Sequence, residues 1–158
     1  MLQPNPEYIR ELIETVNTSP FPAHMAMRLA VLELDRAVIE LKPARHHLQA
    51  YGIVHGGVLA TLIDTATFWS VFLRIPEDAG LVNVDLKLNY LEPVVDGLLT
   101  AEGRAIRSGN TLCYAESSVL NSNRDIVAHG TSTLMVLPGR SLRMKSKKFS
   151  NDRCRQPL

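Results

Sequence analysis

Residues 56–73, GGVLATLIDTATFWSVFL, are the longest apolar run in the chain and hold one charged side chain, Asp64. The length is close to that of a membrane span. A carboxylate at the middle is costly in lipid, two glycines open the run, and Thr61, Thr65, Thr67 and Ser70 dilute it. A helix that is apolar nearly all round and does not cross a membrane must be buried by its own domain. The rest of the chain therefore has to supply a layer that wraps it.

The flanking segments read as that layer. Pro6 to Val16 is a short helix: Asn5 is its N-cap, Pro6 its first residue, and Tyr8, Ile9, Leu12, Ile13 and Val16 its apolar stripe. Ser19-Pro20-Phe21-Pro22 stops it. Residues 27–34 and 37–41 read as two strands joined at Asp35-Arg36, and residues 43–54 as a loop. After the long helix come four strand-like runs: 81–91, 98–107, 111–120 and 126–137. Ser108-Gly109-Asn110 and Asn121-Ser122-Asn123 mark two of the turns. In the first of these runs Leu81, Asn83, Asp85, Lys87 and Asn89 alternate with Val82, Val84, Leu86, Leu88 and Tyr90. Runs of strands on either side of one helix predict an α+β fold, an antiparallel sheet curved around a central helix.

The 158 residues fit one domain, taken as 1–139. Net charge is +1, which points to neither nucleic acid nor an anionic membrane. The charge is unevenly placed. Residues 140–158 hold seven Lys or Arg and one acid, and the remainder holds 10 basic and 15 acidic groups. This segment follows Pro138-Gly139 and reads as a flexible basic tail, either solvated or clamping an anionic ligand. The N-terminus does not resemble a secretion signal. With two cysteines, Cys113 and Cys154, the expected location is a reducing cytoplasm.

His55-Gly56-Gly57 leads straight into the buried helix. Glycines are poor helix formers, so two at a helix start need another reason. One is a ligand approaching the bare first-turn N–H groups, which favour an anion or a polarised carbonyl oxygen. The other is tight packing on the sheet. Asp64 also admits two readings: a general base whose pKa is raised by burial, or a structural carboxylate bonded to Thr61, Thr67 or another side chain. Gly56 and Asp64 are eight residues apart, roughly 12 Å along the axis. A base must reach its reacting water within about 3 Å. One chain hardly brings both groups to one carbonyl, so the spacing predicts a homodimer whose two sites each use both subunits.

The motif Gln49-x5-His55-Gly56-Gly57-x6-Asp64, with Asn83-Val84-Asp85 through Tyr90-Leu91-Glu92-Pro93 on the next strand, resembles the hotdog-fold acyl-CoA thioesterases. Within the 4-hydroxybenzoyl-CoA thioesterase-like superfamily it is most similar to the phenylacetate-degradation type. The resemblance covers roughly residues 25–138 and implies roles. The Gly56 N–H faces the thioester oxygen, Gln49 helps hold the substrate, and Asp64 activates water or attacks the thioester. His55 belongs to the same catalytic motif. Gly57, Asn83 and Phe68 fall on the substrate, Phe68 and Trp69 being acyl-pocket or core residues. Arg104 and Arg107 lie where relatives place basic residues near CoA phosphates, or are ordinary solvated arginines. Some relatives carry Ser or Thr where this chain has Asn83. The resemblance also implies a homotetramer built from dimers, and no cofactor beyond the CoA of the substrate.

No His or Cys pair has metal-ligand spacing, so no metal is expected. Neither a serine-hydrolase elbow nor a dinucleotide fingerprint occurs. Cys113 reads as core. The alternatives to hydrolysis are a hotdog dehydratase or hydratase, which needs a His facing an acid at a different spacing, and a non-catalytic acyl-CoA binding module.

Overall fold

In the computed structural model, which describes residues 3–150, the Asn5 side chain accepts a hydrogen bond from the Glu7 N–H at 3.0 Å and starts α1, Pro6–Asn17. Tyr8, Leu12 and Val16 are its buried face. The Ser19–Pro22 stop ends α1 and then forms a five-residue helix of its own, α2, Pro20–His24. Proline is tolerated there because first-turn N–H groups need no partner within the helix. β1 (Met27–Glu33) and β2 (Arg36–Leu41) follow, joined through Asp35, whose φ of 66° is a left-handed conformation that Asp adopts more readily than most residues. The turn sits one residue earlier than predicted.

α3, Gly56–Phe72, is the expected central helix. No helix of the described residues is long and apolar enough to cross a membrane. β3 (Ala79–Tyr90), β4 (Leu99–Ser108), β5 (Leu112–Leu120) and β6 (Ile126–Pro138) complete a six-stranded antiparallel sheet. Its order is β1-β2-β4-β5-β6-β3. Every one of the six strands touches α3, so the sheet curves round the helix and the core lies between them. The fold is α+β, as predicted. Leu62, Ile63, Ala66 and Val71 of α3 are fully buried. The closest approach is at Gly103 of β4, where a Cβ would lie 2.1 Å from the Ala66 carbonyl oxygen. Only glycine fits there.

Two features depart from the sequence reading. The alternation of β3 is broken. Pairing with β6 runs Asn83 to Leu134 and then Asp85 to Thr133, which leaves Val84 bulged. One extra residue reverses the side-chain parity. Leu81 and Asn83 turn inward before the bulge, and Leu86 and Leu88 pack on the core after it.

The basic tail is not a free appendage over residues 140–149. Gly139, at φ 70°, turns the chain, and the Arg140 carbonyl lies where a Cβ of Gly80 would be. Met144 packs against the core. The Glu11 carboxylate accepts the Lys145 and Ser146 N–H groups at 2.7 and 2.9 Å, which holds it below the usual carboxylate range. Lys148 is 1% exposed, and its Nζ donates to the Phe72 and Ile75 carbonyls at 2.6 and 2.8 Å. Phe72 is the last residue of α3 and Ile75 lies in the turn after it, so the cation meets the negative end of the helix dipole. The segment before α1 is tied to the same residues: the Asn5 N–H donates to the Lys148 carbonyl, and Pro4 bridges to Phe149. Residues 140–149 thus form a strap along α1. The last eight residues of the predicted tail, 151–158, lie outside the described residues.

Candidate active site

The loop before α3 is held from inside. His47 is buried, accepts the Ala44 N–H on Nδ1 at 2.9 Å, and meets the Met25 carbonyl with Nε2 at 2.9 Å. Both contacts require the neutral ring with its proton on Nε2, and burial pushes the His47 pKa down, consistent with that state. The His47 carbonyl then accepts the His55 N–H at 2.8 Å. His47 had no role in the sequence reading; it fixes where the motif begins.

His55 is the N-cap of α3. Its Nδ1 accepts the Gly57 N–H at 2.9 Å, and its carbonyl accepts the Val58 N–H at 2.9 Å. The Gly56 N–H has no hydrogen-bond partner among the described residues. The two glycines therefore differ. Gly57 gives its N–H to His55, and a Cβ on it would lie 2.9 Å from the His55 ring. That internal bond engages the Gly57 N–H within the chain. Gly56 presents the open donor at the positive end of the helix. A Cβ there would lie 3.0 Å from the Tyr90 ring. Gln49, Gly56 and Tyr90 line one cavity of about 360 Å³. Tyr90 was quoted in the motif without a role, and its place opposite Gly56 depends on the Val84 bulge.

Asp64 lies two turns further along α3. Its carboxylate accepts the Asn83 Nδ2–H at 2.5 Å, and the same amide donates to the Asp64 carbonyl at 3.2 Å. Thr61 and Thr67 do not bond the carboxylate: Thr61 donates to the Gly57 carbonyl, and Thr67 shares its one hydroxyl proton between the Ile63 and Asp64 carbonyls while its oxygen pairs with the Ser132 hydroxyl, so the side chain that binds Asp64 is Asn83. Burial raises the Asp64 carboxyl above the usual carboxylate range, and the Asn83 bond pulls it part of the way back. The Asn83 Oδ1 is buried and unpartnered. Asp64 and Phe68 line a second cavity of about 240 Å³.

Within one chain the two cavities share no residue. Gln49, His55 and Gly56 gather at one end of α3, and Asp64, Asn83 and Phe68 at its middle. Arg104 and Arg107 join neither group. Arg104 is bonded to Glu116 at 2.6 Å on the sheet, and Arg107 lines a hollow beside the Asp35–Arg74 ion pair. Cys113 is 2% exposed, and burial pushes its thiol pKa up, as fits a core residue.

Residues 51–128 match the sequence profile of the thioesterase superfamily. A Saccharolobus solfataricus protein, named provisionally as an esterase, is 29% identical over 106 residues, 67% of this chain and 75% of that protein. The Mus musculus protein named acyl-coenzyme A thioesterase 13 is 27% identical over 103 residues, 63% of this chain and 71% of that one. The chain spans between 50% and 83% of the length of such curated relatives. Among solved structures, a Haemophilus influenzae thioesterase superposes with a TM-score of 0.79 at 20% identity, over 91% of this chain and all of that one. That likeness concerns the fold.

Proposed function

Because the chain belongs to the thioesterase superfamily and has the hotdog fold, we propose that it hydrolyses acyl-CoA thioesters at sites shared by two copies of itself. The observation that carries this reading is the division of labour along α3. An unpartnered N–H at Gly56 suits a developing oxyanion, and a half-buried carboxylate with a raised pKa at Asp64 suits a general base. The two lie roughly 12 Å apart along one helix and on separate cavities. An antiparallel second copy would bring Asp64 of one α3 toward Gly56 of the other. β3 is an edge strand of 12 residues with Val82 and Val84 exposed, and such an edge is available to a second copy.

In this mechanism the thioester carbonyl oxygen accepts the Gly56 N–H. Asn83 holds one oxygen of Asp64 and leaves the other to a water. Asp64 takes a proton from that water as its oxygen attacks the carbonyl carbon. The tetrahedral intermediate collapses by breaking the carbon–sulfur bond, and the thiolate of CoA takes the proton from Asp64. His55 acts by capping α3 and fixing which N–H is free, and Gln49 stands beside that N–H on the cavity wall.

Release of free thiol from a panel of acyl-CoAs tests the proposal. Turnover should be measurable for wild type and fall by on the order of 10² or more in Asp64→Ala. Tight acyl-CoA binding without thiol release would favour the binding module, and hydration of an enoyl-CoA without thiol release the hydratase.

A further inference from the structure

The cavity beside Asp64 is lined by residues of α1, α2, β1, α3 and the strap. Its large apolar wall residues are Phe21, Met27, Phe68, Trp69 and Leu142. Phe68 and Trp69 meet edge to face, with ring centroids 4.9 Å apart. Four of these five residues come from the body of the fold. Leu142 comes from the strap, beyond the span matched to the superfamily profile.

The strap is fastened on both sides of Leu142. Upstream, the Arg140 carbonyl lies against Gly80. Downstream, Glu11 holds the Lys145 and Ser146 N–H groups, and buried Lys148 bonds the end of α3. Leu142 itself stays 43% exposed and makes no contribution to the buried core. A large apolar side chain held at a groove by anchors on either side is placed to limit what the groove admits.

We propose that Leu142 limits the length of the acyl group, so that the strap makes this a site for apolar acyl chains short enough to end at Leu142. The inference rests on the thioester reading above. Size supports it: an apolar cavity of roughly 150 Å³ holds a benzene ring, and the groove here is about 240 Å³. That is room for a ring on a short tether or a medium chain. Apart from Asp64, Thr15, Ser19 and Thr65 the lining is apolar, which matches an acyl tail beside a carboxylate at its thioester end.

Trp69 is the only tryptophan of the chain and lies in the groove wall, so its fluorescence reports occupancy. The titration uses straight-chain saturated acyl-CoAs of increasing length, in an Asp64→Asn background that prevents turnover. Affinity should tighten with each added methylene, reach a cut-off, and then weaken. Leu142→Ala should move the cut-off to longer chains, and bind the first length rejected by the parent about tenfold more tightly. Leu142→Phe should move it to shorter chains. An identical cut-off in all three proteins overturns the length limit at Leu142 while leaving the thioester reading intact. So does an unchanged Trp69 signal in a protein whose wild type releases thiol. Absence of both thiol release and binding at every length overturns the thioester reading and this inference with it.

Discussion

The Asn83 side-chain amide donates to the Asp64 carboxylate at 2.5 Å across the gap between β3 and α3. Burial raises the Asp64 pKa, and this bond opposes the rise. Under the proposed mechanism Asp64 must be ionised, so activity should fall on the acid side with a midpoint above that of an ordinary carboxylate. Asn83→Ala removes the opposing bond and should move that midpoint further up. The check is the pH profile of kcat/KM. A midpoint that stays put or falls in Asn83→Ala would show that Asn83 does not act on the Asp64 charge.

The same shift bears on stability. A carboxyl whose pKa is higher folded than unfolded favours the folded state below the unfolded pKa. That contribution is lost as pH rises through the folded value. At neutral pH the ionised Asp64 therefore opposes folding. Asp64→Asn keeps an acceptor for the Asn83 amide and removes the charge. Its melting temperature at pH 7 should equal or exceed that of wild type, with activity lost. A marked drop in melting temperature would make Asp64 a structural residue.

Gly56 faces Tyr90, and a Cβ would sit 3.0 to 3.1 Å from three atoms of that ring. Gly56→Ala should lower kcat/KM because the new methyl crowds the thioester oxygen. Losing one such oxyanion donor outright costs about 2.7–4 kcal/mol, and displacement should cost less. Displacing Tyr90 is a competing cause. The Gly56→Ala, Tyr90→Ala double variant separates the two: activity should stay low, relative to Tyr90→Ala alone, if the substrate is what the methyl meets. Full recovery would locate the whole effect in Tyr90.

The features legible in the sequence are those written as patterns along the chain. Asn5-Pro6 marks a helix start, and Asp64 stands out because nothing else in residues 56–73 is charged. The eight-residue rise from Gly56 to Asp64 anticipated that the two residues line separate cavities within one chain. What could not be read depends on contacts between distant segments. The Val84 bulge leaves the apparent alternation of β3 intact, yet it turns both Asn83 and Leu86 inward. Gly56 and Gly57 look equivalent until the His55 ring settles on the second N–H. Lys148 sits in a basic run, SLRMKSKKFS, where every lysine looks solvated. Only the position of the last carbonyls of α3 singles out the one that is buried.

Lys148 gives the strap a pH signature. Burial lowers its pKa from 10.5 to about 8, and Glu77 opposes the shift. The folded value is below the unfolded one, so between about 8 and 10.5 the unfolded chain holds a proton that the folded chain has released. Stability contributed by this group therefore rises with pH across that window. Lys148→Met removes the titration and leaves the Phe72 and Ile75 carbonyls without this donor, a loss of about 1–3 kcal/mol. The melting-temperature gap between wild type and variant should widen from pH 8 to pH 10. A narrowing gap would mean that the helix end and the Phe72 ring hold the ammonium charged.

The proposed sharing of sites between two copies makes a prediction about assembly. Asp64→Ala leaves the Gly56 end intact, and Gly56→Val leaves the Asp64 end intact, so each homodimer should be inactive for a different reason. Mixed under conditions where subunits exchange, the two variants form a heterodimer with one site carrying both defects and one carrying neither. A random mixture contains about half heterodimer, with one working site in two, so activity should return toward roughly a quarter of the wild-type level if the sites act independently. Exchange is checked separately by mixing chains with distinguishable tags and isolating the hybrid. A hybrid that forms and stays inactive would place Gly56 and Asp64 in one site of a single chain, against their separation along α3.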